Sequence, residues 1–600
     1  MKILVSAQRS IDADIPLVDG PGGPAPRFPE YCLNPYCEAA LEEASRLAAG
    51  TQAQVVAFSL GGPECDQQLR RALALGATTA LRLAPTPQAD PWQVASLIAG
   101  LARQQGADLL LLGASSPCGD SGLVPWLVGR ILGWPVAGPA VHPLGEEGLK
   151  SRLPGLTVQG RTLRGRAQWD QGLVDFSLGL PAVVCCDLRL NRPSLPLLAA
   201  QLGARRATVQ VLDPVEVQGR CNSLGAALVL PATAEAHPAP PIDIAQLARL
   251  LAPLARGPRP ASLADPLPPS PESDLPPDAP PNQDLLWLGT SSVGPAELAA
   301  VALVQRLAAL RGGSYDLLTS DSVMAHRLAR FGARRVLHTG GTLPDPSRFP
   351  GALDQAVGLL SALPCGRLFV PHGRFGLALV ASLATAKGWA ALSRVTDGAP
   401  GGDLWRLSHS GRVRARVAPL GPGLAATLSP NREEPQVLPS ASPIFALPAP
   451  GPALPAQVTW APAQEPAAPG GPSLDSAPLA IGVGRGVLTS GTLPLVRTLA
   501  ALLGAPLAGT RLAVDEGALP GDCQVGQSGH TFYGDCYLAL GISGSVQHLA
   551  GLRTCPTVLA LNLDPRAPLR NHCTHFLAAP LETALPALVE ELRRLLQDRP

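Results

Sequence analysis

Residues 480–504 read AIGVGRGVLTSGTLPLVRTLAALLG. Ala480 to Val483 make a short strand that runs straight into Gly484-Arg485-Gly486, and the leucines and alanines beyond recur at helical spacing as far as Gly504. Ser490 or Thr492 is placed to cap that helix and Gly504 to end it. The same alternation extends outward in both directions. Toward the C-terminus, Leu538 to Ile542 and Thr557 to Leu561 are strands. Toward the N-terminus come Leu285 to Gly289, with Leu298, Val301, Val304 and Leu307 at helical spacing, then Leu109 to Leu112, Val55 to Ser59 and Ile3 to Ala7. Asn34 can cap a helix that Pro35 opens, with Ala40, Leu41, Ala44, Leu47 and Ala48 as its apolar face. Strand, turn and helix repeated in this way predict the α/β class, with parallel, helix-covered sheets. Ligands of such sheets lie beyond the carboxyl ends of the strands, so the turns after the strands are where chemistry belongs.

Proline divides the chain. From 253 to 284 there are 11 prolines in 32 residues, and 434–478 is comparably rich in Pro and Ala; both read as linkers. The expected domains are therefore 1–252, 285–433 and 479–600, consistent with 600 residues. With 47 basic and 46 acidic side chains the net charge of +1 gives no footprint for nucleic acid or an anionic membrane. No apolar run approaches the length of a membrane span, and MKILVSAQRS lacks a long signal-peptide core, so a cytoplasmic protein without an integral membrane segment is expected. Twelve cysteines without a Cys-x-x-Cys pair fit neither a zinc ribbon nor a disulfide scaffold, and no metal is expected.

The chemistry concentrates at the C-terminal end. Glycines let backbone approach a ligand closely, and Arg485 between two of them can meet phosphate. Val487 breaks the Gly-x-Gly-x-x-Gly dinucleotide pattern, which argues against a pyridine-nucleotide oxidoreductase. Thr510-Arg511 opens TRLAVD; Val525-Gly526-Gln527-Ser528 follows; then comes Gly541-Ile542-Ser543-Gly544-Ser545-Val546-Gln547-His548, in which Ser543 can cap a short helix with amides free for an anion. The strand ending at Leu561 delivers Asn562. Glycine-punctuated strand ends with amide and hydroxyl side chains, and without paired carboxylates, suit a large polar cofactor better than acid/base hydrolysis.

The series GRG, TRLAVD, QVGQSG, GISGSVQH and LNLD resembles the FAD-binding domain of the electron transfer flavoprotein alpha subunit over about 120 residues. The resemblance implies FAD, with Arg485 and the residues Ser543, Gly544, Ser545, Val546 and Gln547 around its phosphates and ribityl chain. It places Arg511 over the isoalloxazine beside Thr510, and Val525, Gly526, Gln527 and Ser528 at the flavin edge. His548 would stand near the flavin carbonyl and Asn562 at the adenosine end. Thr510 stands where the family usually has serine, and Ala579-Pro580-Leu581 where it commonly has an Asp-Leu pair. In this reading Arg511 and His548 carry the redox role, because a guanidinium keeps its charge at any working pH and favours extra negative charge on the ring.

The first part resembles the beta subunit of the same family through ILVSAQR, NPYCEAALEEA, ALALGA and LPAVVCCDLRLN, and residues 285–433 resemble the alpha N-terminal domain through YDLLTSD, VLHTGG and RFGLALVASLATAKGW. The resemblance implies two nucleotide-binding-like N-domains, a C-terminal FAD-binding domain, and a beta–alpha fusion. A structural AMP would be held by Ser6, by Asn34, Pro35, Tyr36 and Cys37, and by the loop Asp120, Ser121, Gly122, although Leu123 and Trp126 replace usual glutamines. Leu195 in Ser194-Leu195-Pro196 matches the leucine that docks into partner dehydrogenases, and Ile244, Leu247, Leu250 and Leu251 match an arm that packs on the alpha subunit. The implied function is electron transport from flavin-dependent dehydrogenases, in settings such as fatty acid β-oxidation, to a membrane electron transfer flavoprotein-quinone oxidoreductase. Alternatives are an electron-bifurcating flavoprotein with a second FAD in place of AMP, and a scaffold without cofactor.

Overall fold

The computed structural model describes residues 1–597 except 13–14, 16, 21–22, 29, 84–89, 120, 144–152, 171, 213–226, 232–237, 256–271, 274–282, 289–293, 342–351, 410, 432, 439, 448–457, 463–473, 475–476 and 528. The α/β expectation holds: three large sheets with parallel centres are flanked by helices. In the first sheet the order is Gln210–Leu212, Thr79–Leu83, Gln54–Leu60, Lys2–Ser6, Leu109–Gly113, Ala182–Cys186, Val136–Val141, all parallel, then an antiparallel hairpin of Thr162–Trp169 and Gly172–Gly179. Its central strands are continuous apolar runs buried on both faces, which is why helices cover both sides. Pro35–Thr51 forms as expected, with the Asn34 side chain accepting from the Tyr36 amide at 3.0 Å.

The second sheet repeats this plan. Ile444–Ala446, Arg335–His338, Tyr315–Thr319, Asp284–Leu288, Arg367–Pro371, Leu424–Leu428 and Ala390–Gly398 are parallel neighbours, and Leu404–Ser408 with Val413–Val417 form the antiparallel edge. Each edge is completed from the other part of the chain. Val458–Pro462 pairs antiparallel with Gly172–Gly179, and Ala227–Pro231 pairs antiparallel with Val413–Val417. The two Pro-rich stretches are thus more than linkers: 434–478 supplies Ile444–Ala446 to one sheet and Val458–Pro462 to another, and 253–284 supplies Glu272–Ser273. Val458–Pro462 is an edge strand, where a terminal proline removes no ladder bond. One apolar cluster spans both regions and includes Trp126 and Leu127 of the first with Leu379, Val380 and Leu383 of the second, while a separate cluster around Leu286, Val301 and Leu303 fills the rest of the second.

The third sheet is parallel throughout, in the order Leu507–Gly509, Leu479–Val483, Cys536–Leu540, Thr557–Asn562, His575–Ala578. The helix expected behind Ser490 or Thr492 forms as Leu493–Leu503, with Thr492 at the cap position and Gly504 ending it in the left-handed region; a short helix not expected from the sequence, Arg485–Thr489, precedes it across Gly491 at φ +67°. One face of the sheet packs Leu493–Leu503 and Leu581–Gln597. The arm Ile244–Leu251 lies on this same cluster with Leu247 and Leu251 fully buried, while Leu250 faces out. Before the arm, Pro241 pairs with Phe576 at the sheet's edge, and Ala239 and Ile242 donate to the Arg570 and Phe576 carbonyls.

Candidate functional site

The chain-order numbering of the third sheet is 2-1-3-4-5, so the direction of winding reverses between Leu479–Val483 and Cys536–Leu540. At such a reversal the connections diverge to opposite faces and leave a crevice beyond the strand ends. Here the crevice is walled by Gly484-Arg485-Gly486 on one side and Gly541 to Ser545 on the other. The walls touch backbone to backbone: the Gly486 amide donates to the Gly541 carbonyl at 3.1 Å, and a Cβ on Gly486 would lie 2.8 Å from the Gly541 Cα. Gly544, at φ +91°, is equally closed, since its Cβ would meet the Leu569 amide nitrogen at 2.5 Å. These glycines are required by close approach as well as by dihedral angle.

The amides of Ser543, Gly544 and Ser545 take no part in the backbone bonding among the described residues, and the side chains of Arg485, Ser543, Ser545 and Gln547 are exposed around them. The helix start is not where Ser543 was expected to place it. The helix is Val546–Leu549, Ser545 occupies the cap position without a side-chain bond, and the free amides belong to the turn that Gly544 creates. Successive unpaired amides in a turn form an anion-binding concavity, and Arg485 adds charge. Asn562 braces this wall, its Nδ2 donating to the Ile542 carbonyl at 2.7 Å.

Thr510 caps the short helix Arg511–Asp515. The exposed Arg511 pairs with Asp515 at 3.2 Å and reaches the Leu188 carbonyl of the first region at 3.4 Å. Burial raises the Asp515 carboxyl, and the Arg511 charge opposes that rise. Val525, Gly526 and Gln527 are threaded between this helix and the Ser545 turn: the Val525 amide donates to Gly509 and the Gln527 amide to Gln547. Ser528 lies outside the described residues.

His548 is packed against protein on both ring nitrogens. The ring is 3% exposed, Nδ1 donates to the Val525 carbonyl at 2.9 Å, and Nε2 faces the Tyr537 hydroxyl at 3.4 Å. A carbonyl only accepts, so the proton sits on Nδ1. Burial pushes the pKa down to about 4, which favours the neutral ring, and the Nδ1 bond ties it to the 525–527 loop.

In the first sheet, winding reverses between Lys2–Ser6 and Leu109–Gly113. Ser6, Asn34, Pro35, Tyr36 and Cys37 gather there, but they mostly bond to protein. Ser6 Oγ lies 3.2 Å from Cys37 Sγ, and the Asn34 amide donates to Ser115 and Gln8 while its oxygen accepts from Tyr36. Tyr36 and Cys37 are buried, and a Cβ on Gly113 would meet Tyr36 Cβ at 2.8 Å. Ser121 and Gly122 are half-buried, Gly122 packing against Leu377 of the middle region. Asp120 lies outside the described residues, and Leu123 and Trp126 are core, the latter 6.1 Å from Trp169.

Leu195 is 86% exposed and heads a row with Leu197 and Leu198 at 78% and 71%. The segment beneath is fixed: Glu42 accepts from the Ser194 amide and hydroxyl, and Arg46 donates to the Arg192 carbonyl. The sequence reading missed two partners, Asp515 for Arg511 and Tyr537 for His548. The i,i+4 spacing of Arg511 and Asp515 was a visible signal; the approach of Tyr537 to His548 depends on tertiary packing.

Residues 473–553 match the family model for the electron transfer flavoprotein FAD-binding domain, and residues 28–217 the model for the electron transfer flavoprotein domain. The chain is 31% identical over 221 residues to the electron transfer flavoprotein subunit beta of Homo sapiens, covering 36% of this chain and 82% of that protein. Over 121 residues it is 40% identical to the probable electron transfer flavoprotein subunit alpha, mitochondrial, of Caenorhabditis elegans, covering 20% of this chain and 36% of that one. The alpha subunit of Syntrophomonas wolfei is 39% identical over 123 residues, or 20% of this chain and 39% of that one.

Proposed function

The chain belongs to the electron transfer flavoprotein family, with beta-like sequence first and alpha-like sequence after it, and from that premise we propose that one polypeptide does the work of both subunits: it takes electrons from flavin-dependent dehydrogenases and passes them to a membrane quinone oxidoreductase. FAD, when bound, supplies both one- and two-electron redox chemistry. The carrying observation is the crevice at Gly484-Arg485-Gly486 and Gly541 to Ser545, where backbones close on each other beside three amides that have no backbone partner among the described residues and an exposed guanidinium. That donor set fits a pyrophosphate.

In this reading Arg485 and the 543–545 amides bind the phosphates, Gln547 and Gln527 present amide groups to the ribityl chain and ring edge, and Asn562 orients the adenosine end. Arg511 supplies positive charge beside the ring, and Asp515 sets how much of it is compensated. His548 acts as a positioning residue through Val525. The exposed row at Leu195 fits a docking surface for the donor, since three exposed leucines within four residues are costly unless a partner covers them. No helix among the described residues is long and apolar enough to cross a membrane.

The absorbance spectrum of the purified protein, with release and counting of nucleotides, tests this reading. One FAD per chain is expected; colourless protein that does not take up added FAD would reject it. An AMP beside the Lys2–Ser6 and Leu109–Gly113 strand ends is expected as one adenylate released per chain. Two FAD per chain would select the bifurcating alternative.

A further inference from the structure

Arg394 stands out on three counts. It is a non-glycine residue at φ +60°, it sits in an irregularity of the Ala390–Gly398 strand between Leu392 and Val395, and its side chain is buried with the residue only 8% exposed. A bulge that re-aims one side chain, held in a disfavoured backbone conformation by the bond from its own amide to Thr427 Oγ1 at 3.0 Å, marks a site where geometry serves something other than stability. Nε of Arg394 is buried without a hydrogen-bond partner, and among the described residues no carboxylate or carbonyl accepts from the guanidinium. Arginine cannot shed its proton to escape burial. An unpaired buried guanidinium is therefore a standing cost that an anion would relieve.

A second arginine comes from the FAD-binding region. Arg553 lies across the Gly411 turn, where a Cβ on Gly411 would stand 3.3 Å from its Cδ and 3.5 Å from one terminal nitrogen. That turn joins Leu404–Ser408 to Val413–Val417, and Val395 pairs with Arg406, so the Arg394 bulge is opposite the end of the same hairpin. Arg553 likewise has no ion pair or hydrogen bond among the described residues. Tyr533 lies between the two regions, its hydroxyl donating to Pro430 at 3.5 Å. The Ser429 amide, next to Pro430, donates to the Val395 carbonyl at 2.7 Å, which sets this phenol beside the bulge; burial and the Glu297 carboxylate raise its pKa, and the Arg394 and Arg553 charges act against that rise. Glu297 itself accepts from the Gly294 amide at the start of its helix. Beneath the bulge His372, bonded to Thr427 Oγ1 at 2.9 Å, is driven well below its ordinary pKa by burial and by the surrounding arginines, so it stays neutral.

We propose that Arg394 and Arg553 form an oxyanion site at the seam between the middle and FAD-binding regions, taking inorganic phosphate or a phosphate monoester. Two planar guanidinium forks match the oxygens of a tetrahedral oxyanion, which a monatomic anion does not offer. The bound anion would pin the two regions together at this seam. The site is separate from the pyrophosphate crevice and does not depend on the assignment of electron donor or acceptor.

The test is thermal unfolding of the full holoprotein in phosphate-free buffer of constant ionic strength, titrated with inorganic phosphate in one arm and AMP in the other. Wild type should gain Tm saturably with phosphate. Arg394→Met should lose that gain while matching or exceeding wild type without phosphate, because the variant no longer buries an unpaired charge. Arg553→Gln, at an exposed position, should weaken apparent phosphate affinity at least about tenfold with flavin absorbance retained. A response to AMP but not to free phosphate, lost in Arg394→Met, selects the monoester. Equal stabilisation of wild type and both variants, or no saturable response in wild type to either ligand, overturns the proposal.

Discussion

Glu43 shows how one buried carboxyl can make stability depend on pH. It is fully buried on Pro35–Thr51, accepts from the Leu156 amide at 2.7 Å and from Asn191 at 3.1 Å, and so ties the first sheet to the segment carrying Leu195. Burial lifts its pKa to about 7, against the opposing effect of those two bonds and the Arg46 charge. The folded state then holds the proton over a range where the unfolded chain has released it, so stability falls as pH rises from about 4.5 toward 7 and is constant above. Chemical denaturation of Glu43→Gln across that range should show a flatter slope than wild type; parallel slopes would remove Glu43 from the account. At the flavin crevice, Arg511→Ala leaves Asp515 uncompensated and should lower the flavin potential, whereas Asp515→Asn frees the Arg511 charge and should raise it. A tenfold change in differential affinity corresponds to roughly 60 mV for one electron. Spectroelectrochemical titration reads both variants, and shifts of the same sign would contradict the pairing.

At the scale of elements, Ile244–Leu251 joins the first region to the third without belonging to either sheet. It opens with a reciprocal cap, Asp243 accepting from the Gln246 amide and Gln246 from the Asp243 amide, at 2.7 and 2.9 Å. An eight-residue helix is marginal alone, so the arm owes its order to Leu247 and Leu251 packed on Leu581–Gln597. Leu247→Ala should cost about 2–5 kcal/mol of the C-terminal region's stability. Amide exchange should rise throughout 241–254 together with the Leu581–Gln597 face, while the first sheet stays protected. Protection unchanged on that helix would mean the arm merely rests there.

Across the whole molecule, fusion is reinforced by exchanged parts. Val458–Pro462 completes the first sheet, Ala227–Pro231 completes the second, and Asp170 of the first sheet's hairpin caps Arg374–Lys387 of the middle region through bonds from the Arg374 and Phe375 amides at 2.7 and 2.9 Å. Cleavage at a protease site introduced within 256–271 should therefore leave two fragments that co-elute on size exclusion and unfold in one transition. Separation on dilution would show that the covalent link, rather than strand exchange, holds the halves together.

The class, the strand cores and the glycine-bearing turns of the site were legible in local pattern. Apolar runs such as Leu109–Gly113 and Leu479–Val483 have only one way to bury both faces, and glycine at 484, 486 and 541 reports a close backbone approach that no other residue permits. Capping at Asn34 was legible for the same reason: it is a contact between residues two apart. What depends on distant partners emerged with the folded chain. The neutral His548 needs Tyr537 and Val525, the strands within 434–478 need sheet edges hundreds of residues earlier or nearly so, and Arg394 gains its meaning from a strand bulge and from Arg553. Local pattern encodes local free energy, whereas desolvation and long-range pairing arise only once the chain has brought remote groups into one low-dielectric place.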